Sequence, residues 1–486
     1  MVISMKKQIL FLLFPMIIIL VFADTSASMA STSVPYDTYN YDYWGDIVHT
    51  PAAYIPYGSL TGENLGIGAW KKPQDFYYKN GILYLLDTDN HRIVLLDSGL
   101  KLVSVIDRFQ NNGQEDGFKN PYGICVTEDG RIYVADTGNQ RIVVLDQEGA
   151  LIRLIRYKQS EMLPEDFVFT PLKVSVDYAG RVYVIAKNMY QGIMEFDQKD
   201  NFTGFTGTIN VHLTPYEIFW RRFSTKEQRA KQKLYIATEF TGIDVDEDGF
   251  LYASNVDTNG KQSVRCLNPK GEDVIGKNER VNLSGDLSWR IAGEFSGASK
   301  IVDVKYRGKG IYSILDYTRG RIFTYNQEGD LLYIFGGMGS QYGTFKTPTA
   351  IEEMEGNIIV LDSSRNAILI FAPTKYGSLI NEAVALRYDG DEAAAVEKWE
   401  EVLKLDSNFE LAYTGIGKSY LAAGDNRAAM QYLKLGMERT YYSTAYRRLR
   451  NGFLNDNLNY ILTGVCAAGL GLFLSFRIRK RKRREQ

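Results

Sequence analysis

Three histidines and a few strand-borne carboxylates are the residues in this chain suited to chemistry. Zinc-assisted hydrolysis or elimination needs several imidazoles or carboxylates meeting at one point, and the only histidines are His49, His91 and His212. His91 falls in the turn Asp89-Asn90-His91-Arg92, His212 precedes a helical insertion, and His49 lies on a strand-like run. Nothing in these contexts brings the three together. Asp75, Asp177, Asp244 and Asp303 are the weak metal candidates, each on or near the first strand of a recurring unit, where it could face a shared axis or hold a turn. No Gly-x-Ser-x-Gly, phosphate loop, His-Glu-x-x-His or Cys-x-x-Cys occurs. No catalytic residue and no cofactor is therefore assigned.

The unit that must position these side chains is clearest at residues 121–149. Ile124 and Val126, Ile132 and Val134, and Ile142 and Val144 alternate at period two, separated by Glu128-Asp129-Gly130 and Thr137-Gly138-Asn139. This is the pattern of three short strands joined by turns. A sheet this small cannot bury both faces alone, and the pattern recurs at 73–97, 171–197, 242–268, 301–326 and 348–371. Asp87, Asp136, Asp316 and Asp362 each stand five residues before Arg92, Arg141, Arg321 and Ala367.

These segments resemble the NHL repeat, with its Pro-x-Gly-Ile strand, Tyr-Val-Ala-Asp-Thr strand and turn, and Asn-x-Arg-Ile strand. The second copy matches almost throughout, whereas the third has Ala186-Lys187 and the fourth Ser254-Asn255 at the turn. The resemblance implies a mainly β fold with added helices, a six-bladed propeller over residues 31–375. The sixth copy runs into a helical segment, so its outer strand must be borrowed from residues 44–60. Relatives of the amidating-lyase type hold zinc with three histidines and lactonase-like ones hold calcium, so a calcium-dependent hydrolase or lyase is the enzymatic alternative.

Beyond residue 376 the apolar period becomes helical and a 34-residue repeat appears: Gly390-Asp391 with Gly424-Asp425, Ala394-Ala395 with Ala428-Ala429, Trp399 with Leu433. Residues 376–454 resemble tetratricopeptide repeats, with 441–454 as capping helix. Residues 458–476 are uncharged and long enough to span a membrane. Seven basic residues follow, which the positive-inside rule assigns to the cytoplasm as a tail (477–486) lying against anionic lipid. Residues 1–30 have the layout of a secretory signal. Between these ends, residues 31–476 carry a net charge of −9, which argues against a nucleic-acid partner. Cys125, Cys266 and Cys466 make no disulfide framework and suit a bacterial surface protein.

Two aromatic groups are candidate binding residues. Tyr216, Phe219, Trp220, Arg221, Arg222 and Phe223 lie on a helical insertion (213–232), a composition found at protein and membrane interfaces. Tyr36, Tyr39, Tyr41 and Trp44 could stack on a sugar or pack across the disc. The expectation is a single-pass membrane protein with propeller and helical repeats outside. It would act by binding, as an accessory or sensor subunit with a protein partner in a transporter or envelope complex. A carbohydrate or cell-wall binder is the remaining alternative.

Overall fold

The computed structural model describes residues 34–158, 160–207, 239–256, 263–275 and 285–483. The signal segment 1–30 and the insertion 213–232, with all six of its candidate residues, lie outside the described residues. Six antiparallel sheets follow the six recurring units, five of them with all their strands in chain order, and together they form a six-bladed β-propeller. In the second blade Ile124 faces Val134, as the alternation predicts, but Val134 faces Val143, so Ile142 and Val144 pair with Ala135 and Tyr133 on the other face, and both faces are buried. Burying side chains of this size is worth roughly 1.5–3 kcal/mol each.

The ring closes with a strand from the other end of the propeller. Ala367–Pro373 of blade six pairs antiparallel with Tyr54–Thr61, Leu369 opposite Ser59 and Phe371 opposite Pro56. The borrowed strand is shorter than the expected 44–60. Residues Ile47–His49 fold back instead on Tyr39–Tyr41 as a separate hairpin. Its turn is set by Asp42, whose Oδ1 accepts the N–H groups of Trp44 and Asp46, and by Gly45 at φ +83°. That reversal uses up the residues that would have extended the closing strand.

The repeated aspartates are buried turn anchors. Asp87 accepts the Lys71 N–H at 2.7 Å and Arg92 Nε at 2.8 Å. Asp136 accepts the Lys119 N–H and Arg141 Nε at the same distances. Each thus ties its own turn to the loop entering the blade.

Five helices follow: α1 (Lys375–Tyr388), α2 (Glu392–Leu405), α3 (Glu410–Ala422), α4 (Asn426–Leu435) and α5 (Arg439–Lys482). Residues 34 apart occupy equivalent places. Asp391 and Asp425 cap α2 and α4 by accepting the Ala394 and Ala428 N–H groups, and Gly390 and Gly424 both have φ +86°. The left-handed turn ahead of each helix is open to glycine at no steric cost.

The helices share a core with the propeller. Tyr54, Tyr333, Phe335 and Phe371 pack with Tyr376, Leu379, Ile380 and Ala383 of α1 in one apolar cluster. Arg307 centres the polar part of this junction, at 2.8 Å from Glu353 and donating to the hydroxyls of Tyr333 and Tyr54 at 2.7 and 2.6 Å. Lys418 of α3 is buried against Glu328 in a blade-five turn, and Arg387 of α1 approaches the same carboxylate at 3.6 Å. The sides of α1 and α3 carrying these cations are engaged by the propeller. Helix α5 begins against α4, with Ala445 buried, and from residue 450 onward is almost wholly exposed. At about 1.5 Å per residue its 44 residues reach about 66 Å. Its apolar part makes it the one helix among the described residues long and apolar enough to cross a membrane.

Candidate functional site

The innermost strands of the blades line the propeller axis, and their register decides which side chains meet there. Asp75, Gly123, Lys173, Gly242, Asp303 and Ala350 stand at one level, each opposite the residue preceding its blade's turn position. Two residues further along come Tyr77, Cys125, Ser175, Asp244, Lys305 and Glu352. The strands approach closely at the first level. A Cβ on Gly123 would fall 2.4 Å from the Leu172 carbonyl oxygen, and one on Gly242 would fall 2.7 Å from Asp303 Cα.

Each level holds two carboxylates around one ammonium. Lys173 Nζ lies 2.7 Å from Asp75 Oδ1 and 3.5 Å from Asp303 Oδ1. Lys305 Nζ lies 3.2 Å from Asp244 Oδ2 and 3.1 Å from Glu352 Oε1, and 4.5 Å from the centre of the Tyr77 ring. Each carboxylate also accepts a backbone N–H from the innermost strand of the next blade. Asp75 takes Ile124, Asp244 takes Tyr306, Asp303 takes Ile351 and Glu352 takes Tyr78, at 2.9–3.2 Å. Two charge clusters therefore stitch blades together around the axis.

With two carboxylates to one lysine, each cluster carries excess negative charge in a desolvated place. Burial pushes Asp303 up to about 6 and Glu352 up to about 7 against the pull of the neighbouring lysines, and raises Asp75 as well. Burial works against the charge on Lys173, but Asp303 and Asp75 outweigh it and hold the ammonium above the usual lysine range.

Of the four candidate aspartates, Asp75, Asp244 and Asp303 reach the axis. Asp177 does not, because its carboxylate holds the Arg181 guanidinium at 2.7 Å and the Arg181 N–H at 2.9 Å within a turn. The three axial aspartates do not fit a calcium site. Calcium needs six to eight oxygens around one open position, whereas here the aspartates divide between two levels and the space between partners is filled by lysine ammonium groups. Among the described residues no group of three or more His, Cys, Asp or Glu is placed to hold a metal ion. His91 sits in a left-handed turn of blade one, its Nδ1 accepting the Asn120 N–H, and His49 lies on the hairpin beside blade five. His212 is outside the described residues. Sequence reasoning missed Lys173 and Lys305. For Lys173 the signal was a lone charge inside an apolar first strand at the register of Asp75, whereas Lys305 shares its strand with Asp303 and stands at the register of Asp244.

Where the axis opens beside blades one to four there is a cavity of about 700 Å³, walled in part by Tyr77, Arg131, Tyr178 and Asp246. Burial pushes Asp246 up to about 6. Tyr178 is 76% exposed, an aromatic face open to solvent.

The structure separates the tyrosine cluster into different roles. Tyr36 donates its hydroxyl to the Tyr54 carbonyl at 2.9 Å and packs on Phe371. Tyr39 and Tyr41 both donate to Asp286 Oδ1, and Tyr39 is buried. Trp44 alone among the four is widely exposed, at 71%.

Residues 118–145 match the family model described as the NHL repeat. No curated protein matches the chain. Among solved structures, selenomethionine-substituted virginiamycin B lyase from Staphylococcus aureus is 12% identical with a TM-score of 0.42, the match covering 65% of this chain and 99% of that one. A streptogramin B lyase is 12% identical with a TM-score of 0.39, over 63% and 94% of the two chains. A putative gluconolactonase is 12% identical with a TM-score of 0.40, over 67% and 94%. Likeness of this degree says nothing about what reaction a propeller runs, or whether it runs one.

Proposed function

We propose that this chain is a membrane-tethered extracytoplasmic binding protein, an accessory or sensor subunit of a membrane complex. In this reading α5 spans the bilayer and its basic end rests on anionic lipid in the cytoplasm. The propeller and the tetratricopeptide-like helices stand outside, delivered there by residues 1–30 acting as a secretory signal. The observation that carries it is the charge arrangement on the axis. The carboxylates a metal-dependent propeller would use are committed to Lys173, Lys305 and backbone N–H groups, which leaves the exposed surfaces as the working parts. A rigid head on one span confines its partners to two dimensions and raises their effective concentration.

The test is mild-detergent extraction of the full chain from its native membrane, followed by mass spectrometry of what remains bound. A stoichiometric membrane-protein partner is expected. Recovery of the chain alone would overturn the subunit reading. A propeller hydrolase or lyase has one observation in its favour, Asp246 held near the working range of a general acid or base at an open cavity. Turnover of a lactone panel by the chain, abolished in Asp246→Asn, would establish that reading instead.

A further inference from the structure

The outer strand of blade one is an uncovered edge. Leu102–Ile106, with the sequence LVSVI, ends its four-stranded sheet, and its outward backbone N–H and C=O groups meet no further strand. Leu102, Val103 and Val105 are 39%, 53% and 36% exposed. Such an edge pairs with another chain unless a charge, a proline, a glycine or a covering segment blunts it.

The outer strands of the other four-stranded blades each have one of these devices. Leu151–Ile155 of blade two carries Arg153, held by Asp200 at 3.0 Å. Phe202–Thr206 of blade three is interrupted by Gly204 at φ +150°. Leu331–Phe335 of blade five lies under the Tyr39–Tyr41 hairpin, where Asn40 Nδ2 donates to the Leu331 and Leu332 carbonyls at 3.4 and 3.3 Å. The closing strand Tyr54–Thr61 contains Pro56 and Gly58. A register shift beside the outer strand is common to all five of these blades, so it does not set blade one apart.

The flanking charges decide what fits the bare edge. Beyond one end, Asp107 and Glu115 share a single cation, Arg108, at 3.2 and 2.7 Å. Beyond the other, Lys101 is exposed and makes no ion pair among the described residues. A second copy laid antiparallel with Ser104 opposite Ser104 sets Lys101 opposite Asp107, Leu102 opposite Ile106 and Val103 opposite Val105. Unmatched charge then meets its opposite at both ends, and apolar side chains meet apolar ones between, the pairings that favour neighbouring strands. A slip of one residue would put Lys101 against Ile106 and lose both charge pairs.

We propose that two copies of this chain pair edge to edge through Leu102–Ile106, antiparallel and in the register centred on Ser104. The contact uses the same strand of both copies, so it closes at a dimer. One strand pair buries less surface than a free-standing dimer needs, and tethering both copies to one membrane raises their effective concentration in favour of so small a contact. The tether belongs to the binding-protein reading above, whereas the pairing rests on the strand alone.

The test is oxidative cross-linking of the full chain in its native membrane, with Ser104→Cys in a Cys466→Ser background; Cys125 and Cys266 are buried. Residues directly opposite in an antiparallel pair have Cα atoms about 4.5–5.5 Å apart, within disulfide reach. A disulfide-linked dimer is expected from Ser104→Cys and none from Thr203→Cys, on the exposed outer strand of blade three. Lys101→Glu should cut the dimer yield about tenfold by setting like charges opposite one another, and adding Asp107→Lys should restore it. Both residues are exposed, so neither change disturbs the core. No dimer from Ser104→Cys, equal yield from Thr203→Cys, a disulfide to a different protein, or a loss in Lys101→Glu that Asp107→Lys does not repair would each overturn the proposal. A chain recovered with a membrane-protein partner but without the dimer overturns the pairing and leaves the subunit reading standing; a dimer without such a partner does the reverse.

Discussion

Lys173 Nζ stands 2.7 Å from Asp75 Oδ1, joining blade three to blade one across the propeller axis. Asp303 shares the same ammonium, and both aspartates are about 5% exposed. Removing a single buried partner leaves uncompensated charge and typically costs about 3–5 kcal/mol. Lys173→Met should therefore destabilise the propeller by that order, read as an earlier midpoint in chemical denaturation. The vacated position between two carboxylates should also admit a cation. Calcium is expected to raise the melting temperature of the variant and leave the parent unmoved. A variant as stable as the parent would show that the triad adds nothing to ring closure.

The same clusters predict an unusual pH dependence. Asp303 and Glu352 are raised to about 6 and about 7 from ordinary values of 3.8 and 4.5. Between those limits the folded chain holds more protons than the unfolded chain, so stability is greatest below the ordinary values and declines as pH rises through 6 and 7. Asp116, held low by hydrogen bonds from Arg141, works in the opposite sense but only in stronger acid. Thermal melts should give a higher midpoint at about pH 5 than at about pH 8, a difference on the order of 1–3 kcal/mol. Glu352→Gln should flatten the profile and gain stability at the alkaline end. A midpoint that rises steadily from pH 5 to 8 would contradict this account.

Much of this was legible in the sequence. Period-two alternation and the spacing of Asp136 to Arg141 specify strands and the turn between them, because both signals are local; the face was not specified, since Val144 pairs with Tyr133 and not with Val134. The 34-residue spacing located the equivalent caps Asp391 and Asp425 for the same reason. The axis was harder to read. Whether Asp177 or Asp244 faces it depends on a two-residue offset in register, and Lys173 meets Asp75 from 98 positions away. The Asp42 and Gly45 turn that shortened the closing strand was visible in composition, yet its weight against continued pairing was not. Arg321 has the spacing of a repeat arginine, but Asp316 takes Arg319 instead and Arg321 turns to Asp286 and the Tyr39 ring.

Gly123 sits where the innermost strands of blades two and three approach closely. A methyl group there would meet backbone, the Leu172 carbonyl oxygen at 2.4 Å and Lys173 Cα at 2.7 Å, so no side-chain rotation can relieve it. Gly123→Ala should force blades two and three apart and cost about 1–3 kcal/mol. It should also lengthen the Lys173 contacts. Combined with Lys173→Met it should therefore cost less than the sum of the two single changes, which a double-mutant cycle measures. Strict additivity would mean that strand spacing and the ion cluster are independent.

Helix α5 joins the helical repeats to the candidate membrane span without a break. Its first turn carries Arg439 over the Tyr43 ring at 5.5 Å, Ala445 is buried, and Arg448 Nη1 donates to the Leu421 carbonyl at 3.1 Å. The same helix then continues unbroken to Lys482. Arginine near the centre of a span costs about 2.5–3.5 kcal/mol by insertion scales. Ala467→Arg together with Leu470→Arg should therefore abolish integration and move the chain from the carbonate-resistant membrane fraction to the soluble one. Both residues are exposed and far from the propeller core, so the melting temperature of the head should not change. Retention of the doubly substituted chain in washed membranes would show that something other than α5 anchors it.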